Sequence, residues 1–197
     1  MVSRASGPVN TTNGAPASTA AGSPPPPVMA AEVCAKMDLP YAARTLLREG
    51  MTGRAFVEAL LDKNHNVPAI DFLAHALGPR ETIWWGCLCM QHALGDKLPG
   101  PDKAAARATV IWVMKPTEEN RAAAKAAAPA VGTSIAARLA QAVGQITSPP
   151  AAPGGEWART VAAAVRLASG QFESRKIKAT QGQFASLGLV IAGKSLG

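Results

Sequence analysis

The chain has 197 residues, of which 48% are hydrophobic and 17% are charged, a composition typical of a globular domain with an apolar core. The net charge is +7, and no segment approaches the roughly 20 apolar residues of a transmembrane helix, so we expect no membrane span. The three cysteines and the absence of a signal-peptide pattern predict free thiols in a reducing, cytoplasmic compartment.

The N-terminal residues, 1–28, are rich in Gly, Ala, Ser, Thr and Pro and include four consecutive prolines at 24–27. A stretch of this composition cannot bury enough apolar surface to offset the entropy of the chain, so we predict a disordered tail. The prolines favour an extended polyproline II spacer. The helical domain is then expected over residues 29–197.

Helical signals follow the tail almost without interruption. Short helices are predicted over 29–37 and 41–49, and a third begins after Thr52, whose side chain suits an N-cap. A fourth helix opens near Pro68, and a fifth runs from about residue 80 to residue 94. Glycines and prolines at the ends of these segments set the boundaries.

The clearest internal break is Leu-Pro-Gly-Pro at residues 98–101, where the charge balance also changes. Residues 29–98 carry seven basic and eight acidic side chains, whereas residues 99–197 carry twelve basic and five acidic ones. The excess positive charge lies in the second half, where it favours an acidic partner surface or a phosphate backbone. We therefore expect a sub-boundary within the helical domain at this break.

Thr117 and Ser134 are predicted caps in the second half, and no alternating β pattern occurs anywhere. The helices predicted there cover 102–115, 118–129, 135–143, 157–168 and 172–192. About nine or ten short helices joined by Pro/Gly turns indicate an all-α fold. Such a pattern fits an antiparallel helical-hairpin array and an irregular multi-helix bundle equally well.

Candidate metal ligands lie in the fourth and fifth helices. Asp71 and His75 stand four residues apart and share one helix face, and Cys89 and His92 stand three apart on another. If the two helices were antiparallel, these four side chains could approach one another, and they are ligand types that suit zinc. The alternative hypothesis is therefore a metal-binding or thiol-dependent protein that uses these four residues.

The positions of the cysteines in the fifth helix argue against this metal-binding or thiol-dependent alternative. Cys87 and Cys89 project about 200° apart on one helix, because each residue advances by about 100°. Their position beside Trp84, Trp85 and Leu88 raises the pKa of a thiol, whereas nucleophilic catalysis needs a lowered one. Cysteines that fill small spaces in the core are the simpler interpretation.

Two adjacent tryptophans, Trp84 and Trp85, carry the sharpest interaction hypothesis. On one helix they point in different directions, so both cannot occupy the same core layer. Either one lies inside and the other at a groove, where tryptophan is enriched, or both line an interface among three helices. The hypothesis is a partner-binding groove floored by a tryptophan, with Arg80 and His75 nearby.

Two motifs resemble those of an uncharacterised bacterial all-helical domain family. They are Pro-Arg-Glu-X-X-Trp-Trp at residues 79–85 and Pro-Thr-Glu-Glu-Asn-Arg at residues 116–121. The resemblance lies within residues 30–121, and after about residue 132 the alanine-rich sequence departs from the pattern. It implies no assigned activity, no cofactor and no catalytic residues, and a loose association with bacterial protein-secretion gene clusters.

These observations favour a non-enzymatic intracellular protein that binds another protein, as an adaptor, chaperone or accessory factor. No convergent catalytic set and no phosphate-binding glycine loop occurs in the sequence. Non-specific nucleic-acid binding through the basic second half is a further alternative. Aromatic residues are not interleaved with the basic ones there, as a base-stacking surface requires.

Overall fold

The computed structural model describes residues 27–128, 133–147, 154–193 and 195–197. The disordered tail was predicted over residues 1–28. Residues 1–26 lie outside the described ranges, and only residues 27 and 28 fall within them. Within the described ranges the chain forms ten α-helices and no strand. The helices are α1 Ala30–Cys34, α2 Tyr41–Arg44, α3 Gly53–Asp62, α4 Asn66–Ala76, α5 Pro79–Leu94, α6 Gly100–Met114, α7 Glu118–Ala127, α8 Ile135–Gln145, α9 Glu156–Ser169 and α10 Ser174–Ala192.

The predicted side-chain caps are present at three helix starts. Thr52, Thr117 and Ser134 each accept a hydrogen bond from the backbone N–H three residues later, at 3.3, 3.3 and 3.1 Å. Each bond satisfies one of the N–H groups that the first turn of a helix leaves without a partner. The starts of α3, α7 and α8 therefore follow directly from local sequence.

Several helix boundaries differ from the prediction; α1, for example, ends at Cys34 and not at residue 37. Helix α2 ends at Arg44 and not at residue 49, and the Thr45 hydroxyl donates to the carbonyl of Ala42 at 2.9 Å where the helix ends. Helix α4 begins at Asn66, two residues before Pro68. A proline is tolerated there, because the first turn needs no N–H donor from that position.

Helix α9 occupies the centre of the molecule and lies against α4, α5, α8 and α10. Helices far apart in the sequence therefore pack together, which makes the fold a multi-helix bundle. One core cluster includes residues from both sides of the break at 98–101, among them Leu73, Trp85, Leu139 and Val161. None of the described helices is both long and apolar enough to cross a membrane.

Small residues allow the central helices to approach closely. A Cβ atom at Gly86 of α5 would lie 2.5 Å from Cδ2 of Leu139 in α8 and 3.2 Å from Cγ1 of Val161 in α9. Alanines of the facing helices, such as Ala140 and Ala158, are fully buried. Each alanine buries little area, but close backbone approach lets the few large side chains contact several helices at once.

Candidate functional site

The inward side of α5 holds Trp85, which is fully buried. Its Nε1–H donates to the backbone carbonyl of Phe184 in α10 at 2.8 Å. Gly188, one turn further along α10, leaves room for the indole, since a Cβ there would lie 3.2 Å from Cε2 of Trp85. Trp85 was a predicted interaction residue, but the packing against α10 leaves it no exposed surface for a partner.

The outward side of α5 holds Trp84, which is 39% exposed and lies in a groove of about 330 Å³ between α5, α6 and α10. We call this feature the Trp84 groove; it is lined by Arg80, Glu81, Trp84, Val113, Met114 and Ile191. Met114 is 74% exposed, and Val190, which precedes Ile191 in α10, is 76% exposed. The floor and walls of the groove are therefore mainly apolar and open to solvent.

Arg80 forms one edge of the Trp84 groove. Its Nε donates to the carbonyl of Val113 at 2.7 Å. That carbonyl is in the last turn of α6, where the carbonyl oxygens receive no hydrogen bond from the helix itself. The negative end of the helix dipole also attracts the guanidinium there. His75, which we expected beside Arg80 and the tryptophans, lines a different cavity.

The two sequence motifs meet beside the Trp84 groove. Pro79, Arg80 and Glu81 of the first motif line a second pocket of about 160 Å³ together with four residues of the other. The four are Pro116, Thr117, Glu118 and Arg121. The structure therefore brings the start of α5 and the turn from α6 to α7 into one surface region.

Hydrogen bonds within the second motif explain its composition. The Asn120 amide donates to the carbonyl of Lys115 at 2.8 Å, which holds the turn before α7 against the end of α6. Nη1 of Arg121 donates to the carbonyl of Gly144 in α8 at 2.8 Å, and its Nε donates to Glu118 at 2.8 Å. The hydrogen bond from Arg121 lowers the pKa of the exposed Glu118 carboxyl. Both residues lie in the second motif, but the sequence did not show that Arg121 binds Glu118 and the end of α8.

A polar cleft of about 460 Å³ lies between the segment after α1, helix α4 and helix α9. We call it the His75 cleft; its charged and titratable lining residues are Lys36, Asp38, Asp71, His75, Arg159 and Arg166. Only Asp71 and His75 among these were singled out from the sequence. The others come from segments far away in the chain, so no local pattern could have joined them.

Asp71 and His75 share a face of α4 as predicted, but they bind different partners. Nδ1 of His75 hydrogen-bonds to the backbone carbonyl of Asp71 at 2.8 Å. The Asp71 carboxylate forms an ion pair with Arg166 of α9. Burial raises the pKa of Asp71 above its ordinary value and outweighs the opposing effect of the Arg166 guanidinium.

The other two candidate metal ligands lie elsewhere. Cys89 is fully buried, and burial raises the pKa of its thiol. The exposed His92 ring contacts the rings of Phe172 and Phe184, with centroids 5.8 and 5.7 Å apart. Within the described ranges, no three His, Cys, Asp or Glu side chains are placed to bind one metal ion.

The remaining cysteines are equally poor nucleophiles. Burial raises the pKa of Cys87 to about 12, and it raises the pKa of the half-buried Cys34 to about 11. The expectation that the interior of α5 raises a thiol pKa is confirmed. At neutral pH almost none of either group is thiolate, which is the reactive form.

A family model described as a family of unknown function (DUF6931) matches residues 56–192. The matched range contains both motifs and the two cavities they line. It also covers the alanine-rich segment after residue 132, where we had expected divergence from the pattern. No curated protein and no solved structure shows significant similarity to the chain.

Proposed function

The chain belongs to the DUF6931 family, whose function is unknown, and we propose that it is a non-enzymatic protein that binds another protein through the Trp84 groove. Its partner in this proposal is an apolar segment of a second polypeptide. The finer roles of adaptor, chaperone or accessory factor, and the bacterial cytoplasm as location, remain predictions from the sequence. They depend on which polypeptide occupies the groove.

The observation that carries the proposal is the exposure of Trp84 and Met114 in one groove, which the partly buried Ile191 also lines. Single exposed apolar residues are ordinary on protein surfaces, but several in one concave region mark interaction sites. Tryptophan is enriched among residues that dominate binding energy, and methionine adapts its shape to different partners. Arg80 and Glu81 at the edge supply the polar rim that such interfaces have.

The rigid surroundings of the groove support the same function. Trp85, directly behind Trp84, is fixed by its hydrogen bond to α10, and Arg80 is fixed by its hydrogen bond to α6. A groove that is already formed in the free protein loses less conformational entropy when it binds. The second motif holds the turn after α6 in place by the bonds of Asn120 and Arg121.

A photo-crosslinking experiment in cells that naturally express the protein tests the proposal. A benzophenone amino acid replaces the exposed Met114 in the groove or, as the matched control, Tyr41, which is 83% exposed and outside the groove. We expect a crosslink to a second polypeptide from position 114 and not from position 41. Substitution Trp84→Ala in the same chain should reduce its yield by roughly 30-fold, because a central tryptophan often contributes about 2 kcal/mol and each 1.4 kcal/mol is a factor of about ten.

Two outcomes would contradict the proposal. If positions 114 and 41 gave the same crosslinked products, the contacts would be those of any exposed surface and not specific to the groove. A product consisting of two copies of this chain would show that the groove mediates self-association. Mass spectrometry of the crosslinked peptides distinguishes these results and identifies the residues on each side.

Nucleic-acid binding through the basic second half remains the alternative prediction. Its densest basic segment is partly neutralised, because Glu173 pairs with Arg175 and Lys176 at 2.8 and 3.5 Å. Binding to duplex DNA that weakens steeply with salt, with a slope that Lys178→Gln reduces, would support the alternative. If the wild type and the Lys178→Gln variant bound DNA with the same salt dependence, the overall positive charge of the protein would be enough to explain the binding.

A further inference from the structure

The His75 cleft has a composition that the proposed protein-binding function does not use. It lies between the segment after α1 and two helices, α4 and α9, and its volume of about 460 Å³ is that of a small-molecule site. Three cations and two carboxylates line it. One carboxylate, Asp71, is paired with one cation, Arg166, which leaves Lys36 and Arg159 facing the single carboxylate Asp38.

Lys36 and Arg159 make no ion pair within the part of the chain that the structure describes. Arg159 is the fourth residue of α9, where the positive end of the helix dipole disfavours a cation. An anion in the cleft would interact favourably with both the guanidinium and the helix terminus. The local electrostatics therefore suit a negatively charged ligand.

His75 provides an independent observation that points to a ligand. Its side chain is only 5% exposed, and its Nδ1 is engaged by the carbonyl of Asp71. Among the described residues, Nε2 has no hydrogen-bond partner. His75 lines the cleft, so Nε2 is the ring nitrogen that a ligand there would meet.

The backbone before α9 also lies against this histidine. Gly154 and Gly155 have φ angles of +91° and +132°, which residues with a side chain rarely adopt. A Cβ on Gly154 would lie 3.7 Å from Cδ2 of His75 and 3.8 Å from Cδ of Lys36. The glycine turn thus leads the chain past His75 and Lys36 and into the first turn of α9.

We propose that the His75 cleft is a binding site for a small oxyanion, a phosphate- or carboxylate-bearing molecule held by Lys36 and Arg159. Nε2 of His75 hydrogen-bonds to the ligand, and the Asp71–Arg166 pair fixes the relative positions of α4 and α9 behind it. Guanidinium and ammonium groups form charge-assisted hydrogen bonds with oxyanions, which are stronger than neutral ones. The site is separate from the Trp84 groove, so failure of one proposal leaves the other intact.

Histidine NMR spectra of the full chain test the site directly, because the protein has only three histidines. Inorganic phosphate and succinate are the two probes, each added at constant ionic strength with sodium chloride as reference. We expect a saturable shift of the His75 ring resonances, with His65 and His92 as internal controls that do not move. A larger response to one probe identifies the phosphate or the carboxylate as the preferred group.

Variants separate binding at the cleft from general charge. Arg159→Gln and Lys36→Gln should each weaken the apparent affinity by about tenfold, since each removes a charge-assisted bond. Arg107→Gln removes an exposed cation of α6 outside the cleft and should leave the affinity unchanged. A rise of Tm with phosphate that Arg159→Gln abolishes would confirm binding to the folded state.

Three results would overturn the proposal. The first is no response of His75 to either probe while the spectrum of the protein shows that it is folded. The second is an equal shift of all three histidines, which indicates bulk ionic effects. The third is an affinity that Arg107→Gln lowers as much as Arg159→Gln does.

Discussion

The two sides of α5 place adjacent tryptophans in opposite environments. Trp85 is fully buried and donates a hydrogen bond to α10, whereas Trp84 is 39% exposed and lies in an open groove. One side chain is enclosed by the bundle, and the other keeps contact with solvent in the groove for which we propose a partner. The difference shows that neither residue type nor hydrophobicity decides the role; the position of the neighbouring helix does.

The interior side of α5 also leaves less space for a larger side chain than the groove side does. Gly86 and Gly188 leave room for Leu139 and for the indole of Trp85, respectively, and an added Cβ would lie within 3 Å of a neighbouring side chain at both positions. The groove side has no comparable restriction, since Met114 is 74% exposed. Substitutions on the two sides should therefore separate stability from binding.

The largest contrast is expected in cysteine reactivity. At pH 8, thiols with pKa values of about 11 and about 12 are thiolate in about one part in 10³ and one part in 10⁴. Iodoacetamide should label half-buried Cys34 slowly, about tenfold faster for each pH unit up to its pKa, because only the thiolate reacts. Cys87 and Cys89, inside α5, should be labelled only after unfolding, which mass spectrometry of native and urea-treated protein will show. Rapid labelling of native Cys89 at pH 7 would instead restore the thiol-dependent alternative.

The next largest effect is expected for Trp85→Ala. The substitution removes a fully buried indole and its hydrogen bond, and such a change costs about 3–5 kcal/mol. Urea unfolding followed by circular dichroism measures the free energy of unfolding. If the alanine variant fails to fold, Trp85→Phe provides the milder comparison, with a loss of roughly 1–3 kcal/mol. A loss below about 1 kcal/mol for Trp85→Ala would mean that the interior side is not closely packed.

A smaller effect is expected for Gly188→Val, which adds volume instead of removing it. The new Cβ would lie 2.9 Å from Cδ1 of Leu73 and 3.2 Å from the indole of Trp85. Overpacking of this kind costs roughly 1–3 kcal/mol. Ser186→Val, at an exposed position of the same helix, controls for the effect of a β-branched side chain on the helix itself. Equal losses for the two variants would contradict close packing at Gly188.

The smallest effect on stability is expected for Trp84→Ala. The free energy of unfolding should fall by about 1 kcal/mol, because the side chain keeps contact with solvent in the folded state. The same variant should still lose crosslinking from position 114. A loss as large as that of Trp85→Ala would show that Trp84 is part of the core, and the two sides of α5 would no longer differ in role.

Much of the fold could be predicted because its signals are local. Thr52, Thr117 and Ser134 act as caps through bonds that span three residues, and prolines and glycines mark most helix ends. The end of α2 was harder to predict. Its helical composition continues to residue 49, but a side-chain bond from Thr45 and a turn end the helix at Arg44.

The candidate sites were only partly predictable. A helical spacing predicts that Asp71 and His75 share a face, and it predicts that Trp84 and Trp85 diverge. It cannot show that the partner of Asp71 is Arg166, 95 residues later, or that Lys36 and Arg159 line the same cleft. It also cannot show that Cys89 and His92 lie apart from Asp71 and His75.

The sequence by itself determined that the protein is an all-α chain of about ten helices, since caps, helix breakers and helical periodicity act over a few residues. Only the tertiary structure decided which tryptophan lies inside. The reason is physical: α10 reaches α5 through Gly188 and offers the carbonyl of Phe184 to Trp85, whereas no such partner faces Trp84 among the residues that the structure describes. Contacts between helices a hundred residues apart depend on how whole surfaces fit, and local spacing carries no information about that fit.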